Sequence, residues 1–187
     1  MTLYVYARDT LGFAVATDKG QQTEVSRVGS LAHFPTCSGV ACACGRTGCL
    51  EVTASDHAVL ERARAEGVAA SAIEELYADA ARPEVRRLLA ERARLLGDVA
   101  ASVRDIVAPD LVVLVGQAYT GCPPVLEDVV AGYSAAPGAV EAPVSFTRFG
   151  SGIQATAACT IALGPVYDDP LAVLAVEQRH EERVLVD

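Results

Sequence analysis

The chain has 187 residues, 51% of them hydrophobic, with a mean hydropathy of +0.29, enough apolar material for one domain over residues 1–187 with a sizeable core. Its formal net charge of −9 repels phosphate backbones, which argues against strong nucleic-acid binding by this chain alone. Met1 to Asp9 has neither the basic start nor the long apolar core of a secretory signal, and Leu111 to Val115 is too short to span a bilayer, so a cytoplasmic protein without a membrane anchor is expected.

Leu3 to Tyr6 and Phe13 to Ala16 read as two strands, and Thr17-Asp18-Lys19-Gly20 carries turn chemistry leading into a third strand around Thr23 to Val28. A β-meander therefore opens the chain. The stretch from Ser30 to Glu51 has no periodicity, and a loop of that length inside a compact domain is usually functional, disordered or tied down. Ser55-Asp56 begins a helix reaching about Glu66, Ser71 to Ala81 supplies another, and Pro83 suits the first turn of a long third. In that third helix Val85, Leu88, Leu89, Leu95, Leu96, Val99, Val103 and Ile106 recur at helical spacing and predict a core-facing stripe that ends at Pro109. The continuous apolar run Leu111 to Val115 predicts a strand covered on both faces. A helix over Pro124 to Tyr133, a strand over Val144 to Thr147 and a helix over Ile153 to Leu163 follow. The alternation predicts an α/β domain built on a mixed sheet. The charged tail, residues 168–187, is expected to dock on something outside the chain.

The loop carries the chemistry. Cys42, Cys44 and Cys49 crowd into eight residues, with His33 arriving from a separate segment. Thiolates and imidazole are the ligands that a structural zinc prefers, and Cys₃His is a standard closed set that leaves no position for a reactive water. Gly45 and Gly48 allow the curl that lets the thiols converge. In a reducing compartment clustered cysteines favour metal over disulfides. Cys122 and Cys159 stand alone in apolar surroundings and read as plain buried thiols.

Gly29-Ser30-Leu31-Ala32-His33, followed by Cys42-x-Cys44-Gly45-x-x-Gly48-Cys49-Leu50-Glu51, resembles the G-E-I-G-H and C-x-C-G-x-x-G-C-L-E segments of the ROK family of repressors and sugar kinases. The resemblance implies the C-terminal lobe of an actin-like, ribonuclease H-like ATPase fold with an inserted zinc loop over residues 29–51. It assigns His33, Cys42, Cys44 and Cys49 as zinc ligands. Where members bind sugars, the first Glu, the His and the last Glu hold hydroxyls; these positions are Ser30, His33 and Glu51 here. Ser30 is shorter than Glu and neutral, which weakens a sugar site. The glycine-rich turns of the kinases are also eroded, to Thr10-Leu11-Gly12-Phe13-Ala14 and Val115-Gly116. No catalytic residue is assigned, since the family's catalytic Asp and first phosphate loop lie in the other half.

By this resemblance the chain is the effector-sensing and oligomerisation half of a ROK-type transcriptional regulator. A homodimer, a sugar or sugar-derived effector, and DNA contact only through an upstream helix-turn-helix are implied. The rival reading is a fragment of an ATP-dependent sugar kinase, inactive on its own.

Overall fold

The computed structural model describes residues 1–20, 22–135, 140–147 and 152–168. The chain divides into two compact units, residues 1–150 and 151–187. The first is organised around a five-stranded sheet of order β3-β2-β1-β4-β5. Strand β1 (Thr2–Ala7) pairs antiparallel with β2 (Leu11–Lys19), which pairs antiparallel with β3 (Gln22–Ser30). β2 runs through Thr17 to Lys19 instead of turning there, so the second hairpin is tighter than the turn residues suggested.

β1 pairs parallel with β4 (Leu111–Val115), and β4 pairs parallel with β5 (Val144–Phe146). Parallel neighbours need long crossovers, and helices supply them. Between β3 and β4 lie α1 (Glu51–Ala54), α2 (Asp56–Ala65), α3 (Ile73–Ala78) and α4 (Pro83–Val107). Between β4 and β5 lie α5 (Gln117–Thr120), a 3₁₀ turn at Pro123–Val125 and α6 (Leu126–Ala135). The sheet is thus mixed, as the alternation of elements predicts.

Leu3, Val5 and Ala7 of β1 and Val112 and Leu114 of β4 point to one fully buried face. Their neighbours Tyr4, Tyr6, Leu111, Val113 and Val115 are only half-buried among the described residues. Of the two faces of β4 expected to be covered, one is fully buried and the other only in part. An unbroken apolar run does not report which of its alternating side chains meets a helix.

Pro83 opens α4, where its missing N–H is not required, and Ala108 closes it in a left-handed conformation (φ 51°). Val85, Leu88, Leu89, Leu96, Val99 and Val103 are buried, and Leu95 packs partly buried against them. Ile106 is 77% exposed, and Val107 packs in its place because a 3.6-residue period carries the stripe on by one residue. Helices α4 and α6 cross at glycines. A Cβ on Gly97 would come 2.2 Å from the Val129 carbonyl oxygen, and one on Gly132 would come 2.1 Å from that of Arg94. Backbone thus lies directly on backbone there.

The second unit contains α7 (Ile153–Asp168), which runs past Gly164-Pro165, beyond the expected end at Leu163. Cys159 is exposed, not buried. The helix is almost uncharged, so periodicity identifies no buried face. Residues 169–187 of the charged tail lie outside the described residues. Among the described residues, no helix is long and apolar enough to cross a membrane.

Candidate metal centre and adjoining cavity

The loop between β3 and α1 folds back on itself through two isolated bridges, Pro35 with Cys49 and Ala41 with Thr47. The Cys42 amide donates to the Arg46 carbonyl at 2.8 Å and the Gly45 amide to the Cys42 carbonyl at 3.0 Å, closing a tight knuckle. Gly45 (φ 85°) and Gly48 (φ 69°) both occupy the left-handed region. At Gly48 the need is also steric, because a Cβ would lie 2.6 Å from both the Thr36 and Ser38 carbonyl oxygens. The Thr36 hydroxyl donates to the Gly48 carbonyl (2.9 Å), and the Thr53 hydroxyl to that of Cys49 (2.9 Å). The loop is thereby stitched to α1.

This folding brings His33, Cys42, Cys44 and Cys49 together, with one ligand atom from each within 4.8 Å of all the others. Cys42 Sγ lies 3.7 Å from His33 Nδ1, and Cys44 Sγ lies 3.6 Å from Cys49 Sγ. Zinc bonds of about 2.3 Å to sulfur and 2.0–2.1 Å to nitrogen give tetrahedron edges of roughly 3.5–3.8 Å, so two edges already have the right length. A disulfide would need sulfurs about 2.05 Å apart, and all four residues remain a free donor set. Cys42 and Cys49 are buried while His33 and Cys44 reach the surface.

The thiols are electrostatically unequal. A hydrogen bond with Arg46 holds the Cys44 thiol down to about 6, whereas burial pushes Cys49 up to about 11. Three sulfurs this close hinder one another's ionisation unless a cation joins them. The donors present therefore fit a divalent, thiophilic ion.

The three residues expected to hold a ligand lie on neighbouring segments, since the Glu51 amide donates at 2.9 Å to the carbonyl of Ala32, which stands between Ser30 and His33 in the chain. His33 belongs to the metal cluster. Ser30 ends β3, and its hydroxyl accepts from the Ala32 amide at 3.2 Å, a local turn. Glu51 opens α1 and lines a cavity of about 960 Å³ formed with α2, the metal loop and the β1–β2 turn. Val40, Ala41, Val52, Ala58 and Ala65 form its apolar wall, and Asp9, Ser38, Glu51, Thr53, Ser55 and His57 are among the polar residues that line it.

Sequence reasoning missed the polar network beneath this cavity. Arg92 of α4, 2% exposed, donates through Nη2 to Asp56 Oδ1, through Nε to the Ala54 carbonyl (2.8 Å) and through Nη1 to the Tyr77 hydroxyl (3.1 Å). Arg8 approaches the other Asp56 oxygen at 3.8 Å. Ser55 caps α2 by accepting from the Ala58 amide (3.1 Å). These contacts tie α1, α2, α3 and α4 into the frame that presents Glu51. His57 of α2 also lines the cavity.

At the nucleotide-type turn after β4, Gly116 (φ 105°) sits where a Cβ would meet the Ala7 carbonyl oxygen at 2.5 Å. The following residue is Gln117, 7% exposed, and its Oε1 has no hydrogen-bond partner among the described residues. A buried amide side chain occupies that turn.

A mixed sheet of this order, flanked by helices and carrying a Cys₃His knuckle after its meander, has the actin-like ATPase architecture seen in sugar kinases. A sequence model of the ROK family matches residues 2–135, and the chain belongs to that family. It is 39% identical over 189 residues to the transcriptional regulators Rv0485 of Mycobacterium tuberculosis and Mb0495 of Mycobacterium bovis. That alignment covers 92% of this chain but only 42% of each relative. Among solved structures, the ROK hexokinase of Thermus thermophilus superposes with a TM-score of 0.66 at 28% identity, covering 81% of this chain and 54% of that one. A ROK-family transcriptional regulator described as a homologue of the E. coli MLC protein superposes at 0.63 and 20% identity, covering 76% and 41%.

Proposed function

We propose that this chain is the effector-sensing and oligomerisation half of a cytoplasmic ROK-family transcriptional regulator. Its 39% identity to relatives named transcriptional regulators, of which it spans well under half, is the observation that carries the reading. The eroded turn at Gly116-Gln117 supports it. A backbone that must approach phosphate or adenosine closely is served by glycine, and Gln117 puts a buried side chain there instead.

One structural zinc, held by His33, Cys42, Cys44 and Cys49, would cross-link the loop and supply no reactive water. The chain's own residues do the rest. The metal loop supplies Ser38, Val40 and Ala41 to the cavity wall, and Glu51 follows Cys49 by two residues. A ligand at Glu51 that prefers one arrangement of this loop shifts the population of that arrangement. Coupled through a homodimer to reading heads upstream of the segment, such a shift changes operator affinity. The family resemblance points to a sugar or sugar derivative at Glu51, His33 and Ser30. With Ser30 neutral and engaged in its turn, the hold on a bare sugar is weakened.

The complete gene product decides between regulator and kinase. Expected are binding of its own promoter DNA and no ATP-dependent phosphorylation of glucose; phosphoryl transfer without DNA binding would establish the kinase. For the metal, the intact chain is expected to hold one zinc and Cys44→Ser markedly less. Undiminished zinc in that variant would remove Cys44 from the ligand set.

A further inference from the structure

Strand β3 stands at one end of the sheet, and among the described residues no strand pairs with its outer side. Thr23 to Val28 are all exposed, Val25 at 59% and Val28 at 78%. Soluble proteins guard such edges with charges and bulges. β3 carries both devices, and their placement gives them a second use.

The ladder with β2 slips by one residue. Ala16 lies opposite Val25 and Val15 opposite Arg27, which leaves Ser26 as the extra residue of a β-bulge. The Ser26 hydroxyl donates back to the Val15 carbonyl at 3.2 Å. Simple alternation would put Val25 and Val28 on opposite faces of the strand. Because of the bulge they share one face, opposite Ala16 and Ala14, while Glu24 and Arg27 share the other, opposite Thr17 and Val15.

This spacing is self-complementary. A second β3 laid antiparallel along the edge, related by a two-fold axis at Val25, sets Glu24 of each copy across from Arg27 of the other. On the other face the two Val25 side chains meet, with Val28 of each copy diagonally beside them, within the reach of cross-strand neighbours. Glu24 also pairs with Lys19 of β2, whereas Arg27 has no ion pair among the described residues and gains one only across the axis. Open main-chain N–H and C=O groups are satisfied by an added strand, and charges arranged in this way select a copy of the same strand.

We propose that β3 is the dimerisation edge of this chain, pairing antiparallel with β3 of a second copy about a two-fold axis at Val25, so that the two sheets run on as one. The proposal rests on the oligomerisation reading and gives it a surface.

Sedimentation of the 187-residue chain over a concentration series tests it, and a reversible monomer–dimer equilibrium is expected. Glu24→Arg and Arg27→Glu each place like charges across the axis twice, and each is expected to weaken the dimer about tenfold. The double variant restores opposite charges and is expected to return to within about threefold of the parent. Mild oxidation of Val25→Cys is expected to join two chains through residue 25, seen by mass spectrometry of the linked peptide. Val28→Cys, which meets Thr23 of the other copy, is expected not to link to itself. A monomer at every concentration overturns the inference. A dimer that the single charge variants leave intact, or that the double variant fails to restore, also overturns it while leaving the oligomerisation reading in place with another surface. Promoter binding by the complete gene product tests the regulator reading independently.

Discussion

Arg46 governs the chemistry of the metal loop before any ion arrives. Its hydrogen bond keeps Cys44 near 6, against an ordinary value of about 9, so the exposed thiol is largely thiolate at neutral pH. The metal-free protein is therefore expected to be alkylated by iodoacetamide first at Cys44, with a rate that rises through about pH 6. Arg46→Ala returns the thiol toward its ordinary range and should slow alkylation at pH 7 several-fold, as mass spectrometry of the modified peptide would show. Arg92 is the buried counterpart. Removing Arg92 leaves the buried Asp56 carboxylate with only the longer contact to Arg8, so Arg92→Met is expected to cost about 3 kcal/mol in urea denaturation. The two arginines also mark how far single residues can be read from a sequence. The spacing of Cys42, Cys44 and Cys49 announces itself because metal ligation demands particular side chains close together. Arg92 and Asp56 stand 36 residues apart, and nothing in either neighbourhood marks them as partners. Ser30 sits where the family places a ligand-binding Glu, yet its hydroxyl serves a turn.

At the scale of elements, the α4–α6 crossing is the most demanding contact in the first unit. With each glycine facing the other helix's carbonyl backbone, even one methyl group has nowhere to go. Gly132→Ala is expected to destabilise the protein by about 1–3 kcal/mol, a lowered urea midpoint with little change in secondary structure by circular dichroism. A helix propensity scale predicts the opposite sign, so the measurement separates packing from propensity. The limits of periodicity show at this scale too. The long stripe of α4 was legible because six of its eight members fall on one buried face, whereas Ile106 misses it where the period carries the stripe to Val107. Strand β4 was legible as a strand and not as a half-covered one. The four-residue helix α5 was missed because it is a single turn, too short to show a period at all. The apolar composition of α7 identifies a helix but no face.

Across the whole molecule, the buried core among the described residues lies within residues 1–150, from Leu3 of β1 to Phe146 of β5. A chain cut after residue 150 should thus retain a cooperative thermal transition and bind zinc like the intact chain, measurable by circular dichroism and metal analysis. Loss of cooperativity would show that residues 151–187 are needed to complete the fold. The same sheet imposes an order on synthesis. β1 is central, but its parallel neighbour β4 begins 109 residues after it, with Thr2 opposite Leu111. A ribosome adding about 5–20 residues per second makes the opening hairpin wait at least several seconds with one edge of β1 unpaired. Open strand edges are where chains join one another wrongly. The metal knuckle, whose ligands span only His33 to Cys49, can close early beside that hairpin, so intracellular zinc supply should influence how much of the nascent chain reaches the native sheet without aggregating.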